Sequence, residues 1–204
     1  MKHHLFLENS TYETAILIKS SSFNKAEIRE IYVNHICNDT SVIAFTLKYE
    51  NNKVSVSLAK EYLENLLPAL VSLGTKYLFV ADAAYFKVLT KVGKTDPYIG
   101  YVLPCKIKGY EHLNCVLGIN YQQLIFNPAL KDKITLSLNA LVSHIKGTYK
   151  PIGDSVIHSA AYPEGFREAW KALEQLYQYP RLTCDIEAFS LRFNQAGVGS
   201  IAFA

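Results

Sequence analysis

The stretch YLFVADAAYFKVLT, Tyr77 to Thr90, changes its pattern part-way along. Tyr77 to Ala81 is a continuous apolar run of strand length, which predicts a strand buried on both faces. Ala83 to Thr90 then predicts a short helix. The same alternation extends in both directions. Upstream, Leu58 to Leu73 has helical period, with Tyr62, Leu63, Leu66 and Leu70 on one face and Gly74 as its stop. Pro68 should break or kink it, because proline removes a helix hydrogen bond. Earlier still, Ala15 to Ile18 predicts a buried strand and Ser20 to Ser22 a loop. Asn24, three residues before Glu27, opens a helix bearing Ile28, Ile31, Tyr32 and Ile36. Ser41 to Tyr49 predicts a second strand, Asn51-Asn52 a turn, and Val54 to Ser57 a short further strand.

Downstream lies a loop over Val92 to Gly100. Strands follow at Val102 to Ile107 and Leu113 to Ile119, the latter apolar enough to be central. Asn127-Pro128 predicts a helix start, with Asn as cap and Pro at the first helical position. That helix would show Leu130, Ile134, Leu138, Leu141 and Ile145 on one face and close at Gly147. Thr148 to Pro163 reads as a linker. Phe166, Ala169, Trp170, Leu173, Leu176 and Tyr177 define an amphipathic helix. Strands alternating with helices predict an α/β fold, a three-layer α/β/α domain with a mostly parallel sheet.

Half of the 204 residues are hydrophobic and 19% are charged, a normal globular balance without a disorder signature. The formal net charge of +3 permits a nucleic-acid surface without demanding one. Cys37, Cys105, Cys115 and Cys184 form no CxxC pair, so zinc is not expected, and reduced buried thiols are. The N-terminus MKHHLFLENSTYE lacks a signal-peptide core, and no apolar run reaches the roughly 20 residues that span a bilayer. A soluble cytoplasmic protein is expected.

The chemistry-bearing stretch is LTCDIEAFSLRFNQAGVGSIAFA, Leu182 to Ala204. On a strand, Asp185 and Glu187 share a face, about 6–7 Å apart. Two carboxylates so placed repel each other unless a cation lies between them, and Mg²⁺ or Mn²⁺, hard ions that take oxygen ligands, would suit. Asp185, Glu187, Leu191 and the Gly-containing run Gly197 to Ala204 resemble the first metal-binding motif of the DEDD-type 3′→5′ proofreading exonuclease of bacteriophage family A DNA polymerases. The resemblance implies that Asp185 and Glu187 are catalytic metal ligands, completed by acidic residues of later motifs. It implies that residues 181–204 are the first β-hairpin of an RNase H-like exonuclease domain. The chain would then be the N-terminal part of a longer polymerase in an infected bacterial cell, not expected to act alone. Its partners would be DNA, the rest of the polymerase and other replication proteins, with no membrane. Val198 to Ala204 would be an apolar edge prone to aggregate unless covered.

Lys76 to Pro128 resembles the C-terminal half of the uracil-DNA glycosylase superfamily. Ile119-Asn120-Tyr121 stands where active members carry a His-Pro-Ser-like motif, and no Gly-Pro-rich water-activating loop precedes it. That resemblance implies a glycosylase-like domain over 1–147 without the chemistry, followed by a linker and connector helix over 148–180. Tyr121, Gln122, Gln123 and Phe126 could line a vestigial groove. Gly93-Lys94-Thr95 is no P-loop, because Val88 occupies the position of its first glycine. Lys87, Lys91, Lys94, Lys106 and Lys108 cluster around one loop and hairpin, as DNA-phosphate contacts or as a solvated surface. His35, His112, His144 and His158 are scattered and match no nucleophile motif. The competing reading is a non-enzymatic accessory module that binds DNA or a replication partner.

Overall fold

The computed structural model describes residues 2–36, 41–154, 162–188 and 197–203. The chain divides into two compact units, Met1–Val156 and Ile157–Ala204.

The first unit is an α/β domain built on a six-stranded mixed sheet. Its strands are β1 (His3–Leu5), β2 (Thr14–Lys19), β3 (Val42–Leu47), β4 (Tyr77–Val80), β5 (Val102–Pro104) and β6 (Asn114–Leu117). They lie in the order β1-β3-β2-β4-β6-β5. The central four are parallel, and the edges β1 and β5 run antiparallel. Alternate residues of β2 serve opposite sides: Ala15 and Leu17 join one apolar cluster, Ile16 and Ile18 the other. Both faces are covered, which is why these strands read as unbroken apolar runs.

Two helices cover the first face, α3 (Val56–Ser72) and α4 (Ala83–Thr90). Leu63, Leu66 and Leu70 come from one, and Tyr85, Phe86 and Leu89 from the other. The second face is covered by a helical segment and by α5 (Leu130–Ile145), through Ile28, Tyr32, Ile36, Ile134, Leu138 and Leu141. The segment comprises α1 (Lys25–Ile28), a π turn (Arg29–Val33) and α2 (Asn34–Ile36). The partition follows from handedness. Parallel crossovers are right-handed, so a helix leading from β2 to β3 and one leading from β3 back past β2 to β4 must lie on opposite faces.

Several expectations are corrected. Val54 to Ser57 is not a strand: the Ser55 hydroxyl accepts the Leu58 N–H at 3.1 Å and starts α3. Pro68 does not interrupt α3, which runs through it while Leu63, Leu66, Leu67 and Leu70 stay buried. β5 stops at Pro104, and β6 is the next-to-edge strand. Asn127 caps a turn through its bond to the Ala129 N–H, and α5 begins three residues later at Leu130. Tyr149 and Ile152, in the expected linker, belong to the first unit: the Tyr149 hydroxyl accepts the Val102 N–H and the Ile152 carbonyl accepts the Tyr101 hydroxyl.

The second unit contains α6 (Phe166–Leu176) and a two-stranded antiparallel sheet, β7 (Cys184–Ala188) with β8 (Val198–Phe203). The apolar stripe of α6 is largely exposed, Phe166 at 80% and Trp170 at 56%. Cys105 and Cys115 are free and buried, as anticipated, but Cys184 is exposed. Cys37, His158 and Leu191 lie outside the described residues. No helix among the described residues is long and apolar enough to cross a membrane.

Candidate functional site

The acidic hairpin is amphipathic by register. Asp185 pairs with Ala202 and Glu187 with Ser200, so both carboxylates share a face with two small residues. Cys184, Ile186, Ile201 and Phe203 occupy the other face. The pairing shifts after Glu187: Ala188 faces Val198, leaving Gly199 as the extra residue of a bulge. Phe203 and Leu182 join Trp170 and Leu173 of α6 and its C-cap Tyr177 around an apolar groove of about 400 Å³. The carboxylate face therefore carries only short neighbours on the partner strand, and Asp185 and Glu187 are exposed.

Asp185 and Glu187 offer up to four hard oxygens, a donor set suited to Mg²⁺ or Mn²⁺. Among the described residues no third His, Cys, Asp or Glu completes a metal-binding group. Most of the coordination shell would fall to water.

The first unit offers a second location. Strand order reverses direction between β2 and β4, and open α/β sheets place ligand crevices at the carboxyl ends of strands around such a switch point. Asp82 follows β4 and caps α4, its carboxylate accepting the Ala84 and Tyr85 N–H groups at 2.9 and 3.0 Å. The Tyr49 hydroxyl donates to its other oxygen. The Lys19 ammonium sits 4.6 Å from the centre of the Tyr49 ring. Burial raises the Asp82 pKa above its usual value, against the pull of the two N–H groups and of Lys19.

A folded-state pKa above the unfolded one favours the protonated fold, so the stabilisation from this carboxyl is complete below the unfolded value of 3.8. It is lost as pH rises through the folded value. Relative to Asp82→Asn, which keeps a capping oxygen, the wild type should therefore gain stability as pH falls from neutrality toward 3.8. Asp82→Ala should lose about 1 kcal/mol or more at neutral pH with the cap. Urea titrations across this range check both, and an unchanged wild-type/Asn difference would refute the assignment.

Beside Asp82, a crevice of about 140 Å³ is lined by Asp96, Gly118, Asn120, Gln123 and Lys133, among others. Among the described residues no histidine or cysteine lines it. The crevice-lining Asn120 also takes part in polar pairing between the loop after β2 and the loop after β6. The Asn120 amide donates to the Ser22 hydroxyl at 2.7 Å, and that hydroxyl donates to Gln122 at 2.8 Å. Gln122 donates to the Ser21 carbonyl, and the Tyr121 hydroxyl to that of Ser22. Tyr32 anchors the second loop, donating to the Ile119 carbonyl at 2.7 Å and accepting the Tyr121 N–H at 2.8 Å. Asn120 is thus engaged in holding the two loops together. Phe126 of the suggested groove is 88% exposed instead.

All five singled-out lysines lie in the first unit and are exposed. Lys87 is on α4, Lys91 is its C-cap, and the Lys106 N–H donates to the Leu89 carbonyl at 2.7 Å, bringing the 105–108 segment against the end of that helix. Sequence reasoning missed Asp82, Tyr49 and Ser22. The signal for the first was present, an Asp directly before a helical period.

Comparison with known proteins adds no assignment: no protein-family model matches the chain, and no curated protein matches it.

Proposed function

We propose that this chain is the N-terminal part of a phage-type DNA polymerase with 3′→5′ proofreading, in which Asp185 and Glu187 are the first carboxylate pair of the exonuclease site. The observation that carries this reading is the register of the hairpin, which sets the two carboxylates on one strand face opposite Ala202 and Ser200. Small cross-strand residues leave room for a hydrated cation and a phosphodiester. When bound, a divalent cation supplies an activated water and charge stabilisation of the departing 3′ oxygen. Asp185 and Glu187 hold and orient it, and further acidic groups of the longer chain complete its shell. The first unit fits a three-layer α/β/α domain of glycosylase-like order with its chemistry lost. Its separate apolar clusters on the two sheet faces and the Ser22–Asn120–Gln122 pairing both support that view.

Mn²⁺ titration followed by electron paramagnetic resonance tests the hairpin directly. The chain should bind weakly, with Kd of about 10⁻³ M, and Asp185→Ala or Glu187→Ala should abolish the binding. Equal Mn²⁺ affinity in the double variant would sink the metal reading. The accessory-module reading would then take its place, with partners bound equally well by wild type and double variant.

A further inference from the structure

We propose that the surface formed by the end of α4 and the segments that follow it, bearing Lys87, Lys91, Lys94, Lys106 and Lys108, docks the phosphate backbone of duplex DNA without reading its sequence. The proposal goes beyond the hairpin reading and does not depend on it.

Charge distribution is the first support. Residues 86–111 contain these five lysines against two carboxylates, Asp96 and Glu111, a local excess of +3 that equals the formal charge of the entire chain. The remaining residues sum to zero formal charge. The lysines are also unneutralised. The ion pairs among the described residues are Lys48–Glu61 and Lys76–Glu13, and none of the five takes part in one.

Backbone conformation is the second, independent support. Three non-glycine residues among those described have positive φ. Two are Asn51 and Asn52, a residue type that tolerates the left-handed region, and the third is Lys91 at φ +58°. Lys91 holds the position just past a helix where glycine is the usual and least strained choice. A lysine there carries a backbone cost, one turn after Lys87 and next to the helix end that the Lys106 N–H meets at the Leu89 carbonyl. Its amide still closes the helix, donating to the Lys87 carbonyl at 2.8 Å.

The side chains around the lysines select the form of nucleic acid. Single strands are gripped by exposed aromatic platforms on which bases stack. Here Phe86 is buried and Tyr98, Tyr101 and Tyr110 are half-buried, so no exposed ring is available in this segment. What is left is a set of point charges on a helix end and two adjoining segments. Such a set suits backbone contacts, which position a protein on a duplex without reading it.

The test is fluorescence anisotropy of the chain with a labelled duplex of arbitrary sequence, in EDTA and with Asp185→Ala and Glu187→Ala in place. Failure of the metal reading then leaves the outcome unaffected. Duplex binding should weaken steeply with salt, each phosphate contact contributing about 0.9 to the slope of log K against log salt. Lys87→Gln/Lys91→Gln/Lys106→Gln should reduce that slope by between roughly two and three and weaken binding at least about tenfold. Lys91→Gly alone should keep or raise the melting temperature while lowering the slope by about one. Two duplexes of different sequence should bind alike, and a single strand of the same length more weakly.

A control with equal charge loss elsewhere, Lys53→Gln/Lys60→Gln/Lys150→Gln, should bind as wild type does. The proposal is overturned if no duplex binding is seen at low salt, if the control loses as much as the patch variant, or if Lys91→Gly changes stability without changing the slope. Tighter binding of the single strand would overturn the choice of duplex.

Discussion

Gly118→Ala should destabilise the first unit by about 3 kcal/mol, the upper end of the usual overpacking cost. Gly118 follows β6, and a Cβ placed on it would lie 2.4, 2.7 and 2.9 Å from three ring carbons of Phe79. The ring has no retreat. Phe79 is fully buried, its strand is locked in register with β6 opposite Val116, and the Tyr32 ring stands 5.3 Å away, centre to centre. The requirement is for space and not for a left-handed backbone, so any side chain would fail there. Urea unfolding should show a lower midpoint with unchanged slope. In a Phe79→Leu background, where the ring is gone, adding the methyl should cost much less. An equal cost in both backgrounds would mean that the Phe79 contact is not the cause.

Tyr32→Phe should cost about 2–4 kcal/mol, more than a typical hydrogen-bond deletion, because one oxygen serves two backbone groups. Tyr32 is fully buried, and its hydroxyl lies between the Ile119 carbonyl and the Tyr121 N–H. Phenylalanine fills the same space but leaves both groups without that partner at a site lined by Phe79 and Tyr121. Burial also pushes the phenol pKa well up, so the hydroxyl remains a donor throughout the ordinary pH range. Calorimetric melting of the variant measures the loss. Hydrogen exchange over residues 119–122 should accelerate with it, since the Ser22–Asn120–Gln122 pairing depends on where that loop is held. A variant as stable as wild type, with unchanged exchange, would show that the loop does not need the phenol.

The parts of this molecule legible in its sequence are those governed by neighbours in the chain. Ala83–Thr90 was readable as a helix because eight residues of local period decide it. Asn24 was readable as a cap because its partners are the next few N–H groups, here those of Ala26 and Glu27. Val54 to Ser57 misled because alternating Val and Ser mimic a strand, while the deciding bond is from a serine hydroxyl to an amide three residues on. β1 escaped notice because three half-exposed residues carry almost no pattern; they form a strand only by pairing with β3, some forty residues away. The candidate site divides in the same way. Asp185 and Glu187 share a face through local geometry alone, whereas the pairing of the loops after β2 and β6 joins residues about a hundred positions apart and leaves no trace in spacing.

The bond from Tyr32 to Ile119 spans 87 positions of chain, and that separation sets a schedule. At ribosomal rates of roughly 5–20 residues per second, the tyrosine waits several seconds before its acceptor exists. Through that interval the parallel strands β2, β3 and β4 can assemble in turn. The face that receives Ile28, Tyr32 and Ile36 stays half-built until β6 and then α5 arrive to close it. The newborn protein therefore carries an open apolar flank for seconds, which the last parallel strand extends and α5 then closes.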